Sequence, residues 1–413
     1  MEPKTDAATQ QTRIAELEKT LALAQQADNT PQVLSTLAEL GQAYLAVGEA
    51  PKALTQFEHG CKLAKKTGLM EAEAQFLGFT GLALKQIGNF DFALRQFRKS
   101  SKVARQIPHN ALACDSYMQM ALLLAHTGEE TKAVSQLSRA MKIAVDTNDL
   151  PRKMRVASLL ADNFYRMEAF DKAVEYYVIA QEVARDLNNR PAECSFLTKV
   201  GNVFLLEGEI ESAIGQYERA LKVAEPLEDA NAEINILGGL FRAYALADNI
   251  ELAQSYGDKA INLAETIGHV AAELANLHAL ASILIEHEHY QQSIVYLEKG
   301  LKLSLEHGDD DWLLLFQSSL GFVAYNLNEL TTASAHYHSA LTLAVECQNT
   351  NTEAMILTRI GAIQADQGEY EQALTTSKRA LQLARELENY ALLGEQQSLM
   401  AFLYHDMGDQ ETA

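Results

Sequence analysis

Two histidine groupings are the first places where residue type and spacing could do chemistry. His287–Glu288–His289 and His336–Tyr337–His338 each hold two imidazoles two residues apart, and imidazole is a common zinc ligand. Side chains at i and i+2 leave a helix on different sides, so only the first grouping, in an expected turn, could close on a metal. A turn histidine exposed to water is the commoner case and the reading preferred here. Carboxylate runs at Glu129–Glu130 and Asp309–Asp310–Asp311 could serve acid–base or cation chemistry. In a chain with 55 Asp and Glu they read as solvated charge. The four cysteines, Cys61, Cys114, Cys194 and Cys347, stand far apart without a CxxC pair. That argues against a disulfide framework or zinc ribbon and fits a reducing compartment. The GxxxxGK[ST], GxGxxG, GxSxG and HExxH signatures are absent, so no phosphate loop, dinucleotide site, nucleophile elbow or metalloprotease helix is indicated. Trp312, the single tryptophan, falls at the start of a helix and is expected to pack. The expectation is a chain that is not an enzyme and needs no cofactor and no metal.

Composition narrows the alternatives. Of 413 residues, 34 are Lys or Arg, giving a net charge of −21. Such a surface repels phosphate backbones and anionic lipid, which disfavours nucleic acid and membrane as partners. With 48% hydrophobic residues and only 7 Pro, the chain can build a core. Its polar N-terminus (MEPKTDAATQQ) lacks a signal-peptide profile, and no stretch approaches the roughly 18 apolar residues of a membrane span. A cytoplasmic location is expected.

The elements that would carry any site follow from a 40-residue repeat. Stepping by 40 from Gly41 gives Gly81, Ala121, Ala161, Gly201, Phe241, Ala281, Gly321, Gly361 and Ala401, small at every step but one. Twelve residues on, Ala53, Ala93, Ala133, Ala173, Ala213, Ala253, Ser293, Ala333, Ala373 and Ala413 keep the same phase, as do Ala64, Ala104 and Ala144 eleven further. Each unit reads as two amphipathic helices, with Leu34, Leu37, Leu40 and Tyr44 at helical spacing in the first. Asn and Asp collect in the turn between repeats, and Pro31, Pro151 and Pro191 share the expected first helical position. The small residues mark crossings where paired helices approach to about 8–10 Å. Phe57, Phe97, Tyr177, Tyr217 and Tyr337 fill the space beside them.

The order small–x2–aromatic–x3–Gly, Ala five later, a large residue, then Ala, as in GNVFLLEGEIESAIGQYERALKVA, resembles the tetratricopeptide repeat (TPR). The usual period of that family is 34 residues, and the six extra residues are expected to lengthen both helices, as in bacterial regulators and the kinesin light chain. HEAT repeats share the 40-residue spacing but not this Gly/Ala register. Phe241 departs from the small position, and Gly257 and Ser377 from the large one. The fold expected is all-α, a right-handed superhelical solenoid of antiparallel TPR-like helix pairs. Its parts would be a disordered N-terminus (1–12), a capping helix (13–30), nine repeats (31–390) and a truncated tenth (391–413). The nearly missing last helix suggests a piece of a longer protein.

The resemblance implies that first helices line a concave groove, with Ser35, Ala38, Glu39, Gln42 and Ala46 marking the inward register. At these positions early units offer Gly78, Phe79, Leu82, Met118 and Leu122. Middle units offer Arg155, Arg166, Lys199 and Arg242, with Asn202 and Asn235 between them and Asp162 as the acid. Later units turn acidic, at Glu286, Asp366, Glu395 and Asp406, with Arg359 the exception. Arg forks suit carboxylates, so the partner expected is a protein or peptide with acidic side chains or a free C-terminal carboxylate. The competing account is that these cations merely pair with neighbouring acids. The functional expectation is a scaffold that binds a peptide or partner segment in the groove. The alternatives are a sensor module of a larger signalling protein (ATPase, cyclase or protease) and a receptor for a small signalling peptide.

Overall fold

The computed structural model describes residues 3–107 and 111–408. Among them are 20 α-helices and no strand. They form two compact units, Met1–Glu207 and Gly208–Ala413. The first contains α1 (Pro3–Gln26), α2 (Thr30–Ala46), α3 (Ala50–Thr67), α4 (Met70–Gln86), α5 (Phe90–Ala104), α6 (Ala111–His126), α7 (Glu130–Asp146), α8 (Leu150–Arg166), α9 (Phe170–Asp186) and α10 (Arg190–Glu207). The second contains α11 (Ile210–Ala224), α12 (Ala230–Leu246), α13 (Ile250–Thr266), α14 (Val270–Glu286), α15 (Tyr290–His307), α16 (Asp310–Asn326), α17 (Leu330–Glu346), α18 (Thr350–Asp366), α19 (Tyr370–Glu386) and α20 (Tyr390–Asp406). Within each unit, every helix packs on the next, in the successive antiparallel pairs of a TPR-like solenoid.

The punctuation runs at half the sequence period. A residue with positive φ closes helix after helix at 20-residue steps, from Asp28, Gly48, Gly68 and Gly88 through to Gly368, Glu388 and Gly408. At one such end, Gly48 donates to the Leu45 carbonyl (3.1 Å) and Glu49 to that of Tyr44 (2.8 Å), which satisfies carbonyls the helix leaves open. The Asn and Asp in the turns are N-caps: Asn29, Asp149, Asp309, Asn349 and Asn389 each accept from the backbone N–H three residues on. Pro31 and Pro151 therefore stand second in their helices, one place later than expected. The second amide of a helix also lacks an intrahelical partner, so proline is equally tolerated there.

One boundary differs from the sequence reading. The capping helix α1 starts at Pro3 rather than residue 13, and no Gly or Pro interrupts the stretch from Lys4 to Gln26. Met1 and Glu2 lie outside the described residues. The tenth repeat contributes its first helix, α20, and the start expected for its second, with Ala413, lies outside the described residues.

The register alanines are the floor of the core. Ala53, Ala93, Ala133, Ala173, Ala253, Ala333 and Ala373 are all fully buried, as are Ala64, Ala104, Ala184, Ala264 and Ala344. Gly81 explains why the first-helix position is small: a Cβ there would stand 2.6 Å from Phe97 Cε1. Gly321 and Tyr337 repeat the pairing at 3.0 Å. The departures fall in α12 and α13, and the space beside Gly257 is taken by α14: a Cβ there would stand 2.8 Å from Leu280 Cδ2. Phe241 is large where other units are small, and Gly257, sixteen residues on, is small where they are large. Both are buried.

Burial has chemical consequences that can be measured. Cys114 is buried, its thiol directed at the Ala140 carbonyl, and burial above all pushes its pKa up to about 12. Cys194 is buried too, while Cys347 is exposed. A disulfide-exchange reagent at pH 8 should therefore modify Cys347 rapidly and Cys114 and Cys194 only after denaturant is added. Immediate modification of all four thiols would contradict this core. Tyr217 and Tyr337 phenols are likewise raised to about 12, first by burial. Tyr44 joins them through burial and its hydrogen bond to Glu18 (2.5 Å). Unfolded tyrosine ionises near 10, so this contribution is complete below pH 10 and is lost as the pH rises from 10 to 12. Denaturant midpoints at pH 9, 10 and 11 should fall together with the appearance of tyrosinate absorbance.

Candidate partner-binding site

The site begins with what a first helix leaves uncovered. In α2, Val33, Leu34, Thr36, Leu37, Leu40, Gly41, Ala43 and Tyr44 are buried. Ser35, Glu39, Gln42 and Ala46 are exposed and Ala38 half-buried. The register that the TPR resemblance assigns to the groove is thus the free face of the helix.

In the first unit, three successive first helices enclose a cavity of about 390 Å³ on that face. α4 contributes Gly78, Phe79 and Leu82, α6 contributes Asp115, Met118 and Gln119, and α8 contributes Arg152 and Arg155. Phe79 is braced by Phe57, with ring centroids 5.1 Å apart, and edge-on by Phe76 at 6.2 Å. Met118 is 1% exposed, so it is the floor of the cavity rather than free surface. The apolar residues of the early units and one of the expected cations therefore meet at one place.

The cations divide into two kinds. Arg152, not anticipated from the sequence, forms a bidentate pair with Asp115 (Nε–Oδ1 2.9 Å, Nη2–Oδ2 2.8 Å) and a third bond to Asp149 (2.6 Å). Burial alone would raise the Asp149 carboxyl, but the Arg152 side-chain and backbone donors outweigh it and hold the pKa below its ordinary value. Lys199 is paired as well, its Nζ 2.8 Å from Asp162 Oδ1 and above the Tyr177 ring. The Tyr177 hydroxyl donates to the same oxygen at 2.5 Å, and burial followed by this bond raises its pKa. Arg166 donates to Asn163 Oδ1 at 3.0 Å, and Arg242 Nε turns back to the Gly238 carbonyl of its own helix at 3.0 Å. Arg155 is exposed and has no ion pair among the described residues.

Leu122 is half-buried on α6, and Asn202 is exposed on α10. Neither lines the cavity, nor do Arg166 and Lys199. Asn235 and Arg242 are exposed on α12, in the second unit. That unit has its own cavity on the first-helix face, about 580 Å³, walled by Ile285 and Glu286 of α14, Leu315 and Phe322 of α16, and Met355 and Arg359 of α18. The acidic reading of the later units missed this apolar wall, although Leu315 and Met355 stand in the register of Ser35, and Phe322 in that of Gln42. Arg359 is 3.5 Å from Glu395.

The histidine groupings separate. His287 Nδ1 is 3.4 Å from Asp248, while His336 meets Gln317 (2.7 Å) and His338 the Ser334 carbonyl (2.8 Å). Among the described residues no group of three or more His, Cys, Asp or Glu side chains could hold a metal ion. Trp312 stacks on Phe316, with centroids 5.8 Å apart. Among the described residues no helix is long and apolar enough to cross a membrane.

No protein-family model matches the chain, and no curated protein matches its sequence. Solved structures do match its fold. The apo form of RapI aligns with 96% of this chain and 99% of its own, at a TM-score of 0.57 and 13% identity. The apo form of the quorum sensor NprR from B. thuringiensis aligns with 87% of this chain and 99% of its own, at a TM-score of 0.50 and 13% identity. At such identity the likeness is one of fold, a TPR-like solenoid.

Proposed function

We propose that this chain is a non-enzymatic recognition module whose first-helix face binds an extended peptide or partner segment, with a carboxylate of the ligand meeting Arg155. The observation that carries the reading is a fork of five N–H donors left without an ion pair among the described residues of a chain of net charge −21, at the edge of a cavity walled by Phe79 and Leu82. A guanidinium offers a carboxylate two parallel charge-assisted bonds, and the apolar wall gives an adjacent side chain somewhere to be buried. Helices that are already packed need no folding on contact, which limits the entropic cost of binding. Arg166 and Asn202 would extend such a surface along their own helices.

A short peptide suits this cavity better than a large domain does, since about 390 Å³ accommodates only a few side chains. NprR, one of the fold neighbours, is described as a quorum sensor, and a receptor for a small signalling peptide is the form of recognition that this volume favours. The test is selection from a random peptide library on the full chain, followed by synthesis of the enriched sequences with free and amidated C-termini. Enrichment of an apolar residue beside an acidic or C-terminal carboxylate supports the reading. Enrichment of basic sequences would overturn it.

A further inference from the structure

We infer that the second-helix face of the first unit is a separate docking surface for an acidic segment of a partner protein, centred on α5. The chain is acidic overall, yet residues 50–145 hold 13 Lys and Arg against 7 Asp and Glu. The excess is gathered on α5 and the loop after it, at Arg95, Arg98, Lys99, Lys102 and Arg105, with Asp91 the only acid in that run. All five of these cations are exposed.

Two grooves flank the helix. Between α5 and α7, over α6, lies a cavity of about 750 Å³ lined by Arg98, Lys102, Arg105, Lys132 and Arg139, and no carboxylate among the described residues reaches its lining. On the other side, toward α3, a cavity of about 580 Å³ adds Lys62, Lys65 and Lys99 against Glu58 and Glu73. The two share Lys102 and Gln106. Of the five cations in the first cavity, Lys132 is paired with Glu129 and Arg139 lies over the Tyr117 ring, while Arg98, Lys102 and Arg105 have no ion pair among the described residues.

The arrangement works against the isolated helix. Arg95 and Lys99, and Arg98 and Lys102, are like charges four apart, which oppose helix formation. The chain holds 55 carboxylates, yet none of the described ones lines the cavity that Arg98, Lys102 and Arg105 share. The spacing indicates the ligand. The α5 cations occupy successive turns from Arg95 to Arg105, a run of roughly 15 Å at 1.5 Å per residue, instead of converging on one point as a phosphate site requires. Carboxylates repeated along an extended segment match that spread, and complementary charge would steer such a segment on.

The test uses the full chain and a fluorescein-labelled, glutamate-rich peptide of about twelve residues, with ATP and tripolyphosphate as competitors. Binding that weakens as salt rises is expected, with at least a tenfold loss in Arg98→Glu/Arg105→Glu and no change in Lys302→Glu, an exposed cation of the second unit. Arg98→Glu places an acid four residues before Lys102, so the helix itself gains a favourable pair and lost binding does not reflect unfolding. If the double reversal nonetheless melts early, Arg98→Gln/Arg105→Gln supplies the same reading. Failure of the wild type to bind, equal binding by the reversal, or tight binding of tripolyphosphate that the peptide cannot displace would each overturn the inference.

Discussion

Gly81→Leu is expected to destabilise the protein by about 1–3 kcal/mol, the usual cost of overpacking a well-packed core. Two effects oppose each other at this site. Replacing a helical glycine ordinarily favours the helix by about 1 kcal/mol. Here the first added carbon would meet Phe97 at 2.6 Å, and Phe97 is itself 1% exposed, so the ring has no free volume to enter. The clash therefore decides the sign. Gly215 gives the internal contrast, because nothing lies within 4 Å of a Cβ built there. Gly215→Ala should raise stability by up to about 1 kcal/mol. Urea denaturation of both variants checks the pair, and adding Phe97→Ala to Gly81→Leu should recover part of the loss. If Gly81→Leu were as stable as the wild type, the assignment of the small register to helix crossings would be wrong.

That register explains why so much of the fold is legible in the sequence. Each repeat meets the same neighbours, so Ala53 and its counterparts at 40-residue steps experience one environment many times over, and the required size is written repeatedly. The turn residues are equally readable, since Asn29 and Asp149 answer the same unsatisfied amides at each helix start. The half-period is less visible. Among the described residues, position 28 and its counterparts hold Gly, Asn, Asp, Glu or Gln, because the left-handed turn constrains the backbone more than the side chain.

The site is less legible, for a geometric reason. Pairs that cross from one first helix to the next are separated by roughly one repeat, with an offset set by how the helices stagger. Asp115–Arg152 and Asp162–Lys199 are both 37 residues apart. A register stepped by 40 places Arg152 and Asp115 in different columns and leaves Lys199 looking free. Searching for opposite charges at 37 residues would have paired Lys199 with Asp162 and left Arg155 and Arg242 without a partner. The basic face of α5 was hidden differently: its cations lie on second helices, outside the register taken to line the groove, and a net charge of −21 masks a local excess of the opposite sign.

Arg155 carries the largest expected effect on binding. A hydrogen bond to a charged group contributes about 1.5–3 kcal/mol, so its loss corresponds to roughly a tenfold to hundredfold weaker complex, and reversal to Glu adds repulsion of a ligand carboxylate. Folding should be indifferent, because Arg155 is exposed and has no ion pair to lose among the described residues. Arg152 makes the useful comparison, since Arg152→Ala strands Asp115 and Asp149 and should reduce stability as well as binding.

The most direct test of recognition on this face is fluorescence anisotropy with a library-selected, carboxylate-bearing peptide on the wild type and Arg155→Glu, with thermal melts recorded in parallel. The predicted result is affinity at least tenfold weaker in the variant, at an unchanged melting temperature. Unchanged affinity for that peptide would contradict the account.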